Sequence, residues 1–378
     1  MKRIAFLDYV RVIACFLVML VHASENFYAA PGATDMAGPQ SLLQCEADRL
    51  WVSLYDGFSR MSVPLFMIIS AYLLVPMKEG EGVMSFYRRR MARVVPPLFC
   101  FIILYSTLPL LWGQLDAATS AKDLSRCLLN FPTLAGHLWF MYPLLGIYLF
   151  IPMISPWLRT ASKRQEEGFI ALFLLSTCMP YLGHWCGELW GQCFWNEYHG
   201  LWYFSGYLGY VVLAHYIRVH LDWERPRRLA IGSLLLAAGA ATTILSFYLQ
   251  GTPGVILETP QLEIGWAFCT INCVALTTGA FLLFTCIRGS EAPAIVTDTS
   301  KLSYGMYLMH IFWLGYWVDV IKNQLALPTV AAIPAIAIVT FVCCYMTTKL
   351  LSLVPGSKWV IGAGRGFAIR RQIATFAE

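Results

Sequence analysis

The chain has 378 residues, of which 58% are hydrophobic and only 13% charged, with a formal net charge of +5. Charge this scarce over the whole length excludes a soluble globular domain and points to an integral membrane protein. The basic residues are scattered over short loops, which excludes a nucleic-acid partner and fits retention of Lys and Arg on one face of a lipid bilayer.

The first predicted helix, Ile4 to Tyr28, exceeds the roughly 20 residues that cross a bilayer, and it ends before the breaker Ala30-Pro-Gly. No cleavable signal peptide is expected, because Met-Lys-Arg runs straight into this helix. A polar loop follows to Ala47, and a second helix covers Trp51 to Pro76, with a kink expected at Val63-Pro64. A basic loop carries Lys78, Arg88, Arg89, Arg90 and Arg93. The third helix begins at Val94-Val95-Pro96-Pro97 and reaches Trp112, and the fourth runs from His137 to Leu158. Arg159, Lys163 and Arg164 precede a short fifth helix, Gly168 to Leu182, and a Trp- and His-rich loop, Gly183 to Gly200. The remaining helices are expected over Leu201–His220, Leu229–Leu249, Ile264–Cys286, Leu302–Val320 and Thr329–Leu353.

The fold expected is therefore an all-α polytopic membrane protein of ten spans with both termini on one side. Residues 1–353 form the membrane domain, and a basic tail, 354–378, holds Lys358, Arg365, Arg370 and Arg371. On this topology only Arg49, Lys122, Arg126 and Lys322 depart from the basic side, which makes that side cytoplasmic. No internal repeat supports an inverted-repeat transporter. The 12 cysteines form no metal signature and no metal is expected; Cys186 and Cys193 are near enough in sequence for a disulfide if their side is oxidising.

Ionisable groups inside spans cost at least about 2.5–3.5 kcal/mol each, so they mark function by default. Arg11 and His22 lie eleven residues apart, on one helix face and about 16 Å along the axis. Asp8 stands one turn before Arg11, and Glu25 one turn after His22. The same groups would also serve as ties to neighbouring helices. Arg60 lies deep in the second helix, where a structural pair with Glu25 or a backbone carbonyl is the alternative to a catalytic role. Arg90 and Arg93, one turn apart, suit phosphate recognition, whereas Arg88 and Arg89 read as ordinary flanking charge. His137 and Trp139 open the fourth helix. Ser303, Tyr307 and His310 share one face of the ninth, as either a polar seam or part of a site.

These residues carry a resemblance. Arg11-X10-His22, the block Arg60 to Tyr72, Arg90-Met-Ala-Arg93 with Pro96, His137-Leu-Trp-Phe and Ser303…Tyr307…His310 follow, in order, the motifs of the membrane acyltransferase 3 family. The chain is most similar to the branch holding the O-acetyltransferase of enterobacterial common antigen. Ala71 stands where the family usually has Gly, a change small enough to keep close helix packing. The resemblance implies a bacterial inner-membrane enzyme with acyl-CoA, usually acetyl-CoA, as donor on the cytoplasmic side. It implies a carbohydrate hydroxyl, on a glycan at the outer face, as acceptor. On that reading His22 is the general base, Glu25 holds its tautomer, and Arg11 or Arg60 steadies the thioester or oxyanion. Asp8 fixes Arg11, and Arg90 and Arg93 bind donor phosphates. His137, Trp139, Tyr307 and His310 meet the acceptor, with Trp185, Trp195 and Tyr198 as further stacking surfaces. In a variant, His22 itself becomes acylated. The alternatives are a transporter or flippase for a lipid-linked sugar, with Asp8, Arg11 and His22 as a proton relay, or a structural membrane subunit. A homo-oligomer is neither required nor excluded.

Overall fold

A computed structural model describes residues 4–30, 38–289 and 291–364 of the chain. Lys2, Arg3, the Pro31-Gly32 breaker and the basic residues Arg365, Arg370 and Arg371 lie outside the described residues. In chain order the elements are α1 (Ala5–Glu25), β1 (Gln40–Leu42), α2 (Glu46–Ser59), α3 (Ser62–Leu74), α4 (Val83–Leu111), α5 (Ala117–Ser125), α6 (Met141–Thr160), α7 (Lys163–Ser176) and α8 (Met179–Cys186). They continue with α9 (Tyr207–Val219), α10 (Arg225–Gln250), β2 (Ile256–Glu258), α11 (Thr259–Leu262), α12 (Ile271–Thr285), α13 (Ala294–Val318), α14 (Thr329–Leu351) and α15 (Ser357–Ile361).

Among the described residues, eight helical stretches are long and apolar enough to cross a membrane: Ala5–Glu25, Glu46–Leu74, Val83–Leu111, Thr133–Thr160, Lys163–Cys186, Arg225–Gln250, Ile264–Thr285 and Thr329–Leu351. The other two expected spans exist as helices of a different kind. α9 has 13 residues, about 20 Å at 1.5 Å per residue, short of a bilayer core of about 30 Å. It is buried along most of its length and packs on α3, α6 and α7. α13 has 25 residues, but Asp298, Lys301 and a run of Ser, Tyr and His make it polar.

The boundaries shift where local chemistry dictates. The second expected helix is interrupted between Ser59 and Ser62, before the expected kink. A proline clashes with the carbonyl four residues earlier, so Pro64 in the first turn of α3 prevents a regular helix through Arg60. α4 starts at Val83, eleven residues before the expected start, so Arg88 to Arg93 lie on the helix rather than in a loop. β1 and β2 form a short antiparallel pair, with Ser41 opposite Leu257, and this is a correction to a purely helical fold. The pair ties the connection after α1 to the connection before α12. α15 occupies the start of the expected tail, and its Ile361 is fully buried against Gly305 of α13.

α1 is the centre of the bundle. It packs against α2, α3, α12, α13 and α14, so its polar stripe faces protein and escapes the cost of lipid exposure. α10 and α12 approach through small residues. A Cβ on Gly239 would stand 2.4 Å from the Leu276 backbone nitrogen, and one on Gly279 2.4 Å from that of Leu236. Backbone contact of this kind replaces the hydrophobic driving force that lipid removes.

Candidate active site

The stripe on α1 meets α13 along its length, and the two helices run parallel. At the N-terminal end, Ser300 Oγ donates to Asp8 Oδ1 at 2.7 Å and accepts from Arg11 Nη1 at 3.2 Å, with Arg11 3.9 Å from Asp8. One step on, the Cys15 thiol donates to the Ser303 carbonyl at 3.7 Å. At the C-terminal end the His22 ring stacks on His310, with centroids 5.0 Å apart and planes at 29°. The sequence spacing of Arg11 and His22 thus becomes a seam with one partner helix.

His22 is oriented by its own helix. Glu25 Oε2 lies 2.6 Å from His22 Nδ1. With the proton on Nδ1 facing the carboxylate, the lone pair is at Nε2. Two further imidazoles extend the line. His310 meets His137 edge-on at 5.1 Å, and His137 meets Tyr105 at 4.6 Å. His310 Nδ1 donates to the Tyr307 carbonyl at 2.5 Å, and both His310 Nε2 and His137 Nε2 are buried without a hydrogen-bond partner. A kinked 3-10 stretch, Thr133–Phe140, positions His137 just ahead of α6. The Tyr307 hydroxyl holds that stretch by donating to the His137 carbonyl at 2.7 Å.

A cavity of about 260 Å³ opens beside His22. Glu25, Arg60, Ser62, Trp139, Glu263 and Phe268 are among the residues that line it. Trp139 stacks on Phe268 at 5.6 Å and 20°, giving one aromatic wall. Arg60 supplies a charged part of the lining next to that wall, its guanidinium 5.9 Å from the Phe268 ring centroid. Its Nε and Nη2 clamp Asp56 at 2.6 and 3.2 Å, Nη1 reaches Glu263 at 3.4 Å, and Nη2 also bonds the Tyr28 hydroxyl at 3.3 Å. Its guanidinium lies 4.4 Å over the Trp266 ring. Four of the bonds an arginine fork can make are therefore taken up, so Arg60 is held as part of the wall.

The arginines on α4 stand apart from this cavity. Arg93 is exposed, and Arg90 lies over the Phe86 ring at 5.5 Å with its Nε buried and unpartnered. Both act electrostatically on Tyr148, as does Arg11.

The family model for an acyltransferase domain, acyltransferase 3, matches residues 4–349. The chain belongs to this acyltransferase family. No curated protein and no solved structure matches it.

Within the acyltransferase, the structure brings His22, Glu25, His137, His310, Tyr307, Trp139 and Arg60 to one end of the bundle. Asp8, Arg11, Arg90 and Arg93 lie at the other. Tyr307 spends its hydroxyl on a backbone carbonyl, and His310 is buried behind His22, so both support the site from outside the cavity wall. Trp185 and Trp195, expected as stacking surfaces, are about three-quarters exposed and line no part of the cavity, and Tyr198 is about half exposed. Cys186 and Cys193 are free thiols. Asp56, Tyr28, Glu263, Phe268 and Ser300 join the site in the folded chain without a motif that marks them. Asp56 was visible as an acid one turn before a buried arginine. Glu263 reaches the site only through tertiary packing across more than two hundred residues.

Proposed function

We propose that this membrane acyltransferase moves an acyl group, usually acetyl, from acyl-CoA to a carbohydrate hydroxyl, as in the enterobacterial common antigen branch it resembles. The excess of Lys and Arg supports a cytoplasmic N-terminal end of α1 with both termini on that side, and the resemblance supports a bacterial inner membrane. Arg90 and Arg93 then receive the donor's phosphates, and Arg11 lies on the path of the pantetheine arm. The cavity at the far end takes the sugar, with Trp139 and Phe268 stacking on its ring and Glu263 accepting a hydrogen bond from a ring hydroxyl.

The chemistry follows from the His22–Glu25 pair, which is the observation that carries the reading. His22 Nε2 takes the proton of the sugar hydroxyl as its oxygen attacks the thioester carbonyl. The C–O bond forms, the C–S bond breaks, and the proton passes from His22 to the departing thiolate to give free CoA. Glu25 holds Nδ1–H and steadies the imidazolium between the two transfers. A flippase gains less support, because it requires neither a tautomer-locked histidine beside an aromatic sugar wall nor a cation cluster at the opposite end.

The test is acceptor labelling with radiolabelled acetyl-CoA in membranes carrying the wild type, His22→Ala or Arg11→Ala. Both variants are expected to insert normally and lose transfer by about 10²–10⁴-fold. Near wild-type transfer in His22→Ala overturns the assignment.

A further inference from the structure

We propose that Glu166, His215 and His220 form a divalent-metal site, suited to zinc, that clips α7 to α9 away from the acyl-transfer cavity. Glu166 stands in the first turn of α7. His215 is near the end of α9, and His220 is the residue that caps it. His215 Nδ1 lies 3.0 Å from both Glu166 oxygens, and His220 Nε2 lies 3.0 Å from Oε1. One donor atom from each residue falls within 4.8 Å of the other two.

Three features point to a cation. First, the donor set is chemically matched: two imidazoles and one carboxylate form a known zinc triad that leaves a fourth position for water. Second, the nitrogen–oxygen spacing is close to what a metal requires, and the two ring nitrogens lie within 4.8 Å of each other. Zinc bonds of about 2.0–2.1 Å in a tetrahedron set donors roughly 3.3 Å apart, so the nitrogen–oxygen separations need little change. Third, no permanently charged side chain among the described residues balances the carboxylate. The Glu166 side chain has no exposure, and among the described residues its ion pairs are with the two imidazoles and with no Arg or Lys. Arg218, between the histidines in sequence, turns instead to the carbonyls of Tyr72 and Val75 at the end of α3. A buried carboxylate without a cation is costly, and a divalent ion supplies that cation. On binding, each imidazole carries its proton on the nitrogen facing away from the metal. The His220 side chain is 20% exposed and provides the entry path.

The consequence is structural. Fixing α9 at this point also fixes Arg218, which closes the end of α3, the helix that begins at the cavity. The experiment uses the full chain in detergent micelles, purified on a tag without histidines, stripped with chelator and loaded with zinc or cobalt. About one metal per chain is expected after desalting, with the intense visible bands of tetrahedral cobalt and a zinc-dependent rise in the thermal transition. His215→Ala and His220→Ala are expected to weaken binding at least about tenfold and to lose the zinc-dependent rise. A wild-type chain that retains no metal and shows neither the cobalt bands nor the shift overturns the site, as does wild-type affinity in both variants. The wild-type measurements decide the question even where a variant fails to fold. None of these readouts depends on acyl transfer.

Discussion

At the residue scale, the site rests on two hydrogen-bonded carboxylates with different tasks. Glu25 acts on His22. Its oxygen accepts the Nδ1 proton at 2.6 Å, so Glu25→Gln keeps an acceptor in place but removes the charge proposed to steady the imidazolium. Transfer is expected to fall by about ten- to a hundredfold, less than the loss in His22→Ala. The check is a comparison of kcat with KM for the acceptor, since a tautomer-holding residue lowers kcat with little change in KM. Asp56 acts on Arg60 instead. Its side chain has no exposure and it holds the guanidinium through two bonds, whereas Glu263 is 21% exposed and bonds it once at 3.4 Å. Removing one partner of a buried pair strands the other charge, at a cost of about 3–5 kcal/mol. Asp56→Ala is therefore expected to lower the thermal transition of the micelle-bound protein clearly more than Glu263→Ala. Equal shifts would show that the two acids share the arginine evenly.

At the scale of elements, what was legible in the sequence was whatever repeats locally. Long apolar runs located eight of the ten expected spans, and the eleven-residue spacing of Arg11 and His22 placed both on the face that meets α13. The interruption at Arg60 was only half legible. Pro64 signals a disturbance, but where the chain yields depends on Asp56, Tyr28 and Glu263 holding Arg60 in place. The early start of α4 was hidden because Arg88 to Arg93 resemble a basic loop, and only packing of Phe86 and Val94 into the core draws them onto the helix. The close approach of α10 and α12 is written in Gly232, Gly239 and Gly279, yet nothing local says which helix faces which. Because a Cβ at Gly239 would meet the Leu276 backbone, Gly239→Val is expected to force the helices apart and cost about 1–3 kcal/mol. The measurement is the thermal transition together with transfer activity per folded molecule. The first should fall and the second should hold, since neither helix carries the histidine line.

At the scale of the whole molecule, the proposed donor and acceptor ends lie at opposite ends of α1. Arg11 lies toward one end, within electrostatic reach of Tyr148 as are Arg90 and Arg93, while His22, Glu25 and the cavity lie about 16 Å further along the helix, eleven residues at 1.5 Å each. A thin donor reaching from one end toward the other can meet an acceptor that never crosses, so the reaction should be sided. Sealed vesicles of known orientation, given acetyl-CoA on one side only, are expected to label acceptor only when the donor is on the face bearing Arg90. The double variant Arg90→Ala/Arg93→Ala should raise KM for acetyl-CoA by about ten- to a hundredfold, with a smaller change in kcat. The remaining dependence of KM on salt should weaken as well, because screened phosphate contacts have been removed. Labelling from either face, or a KM untouched by the double variant, would move the donor's entrance elsewhere and leave the histidine line to explain transfer without the α4 arginines.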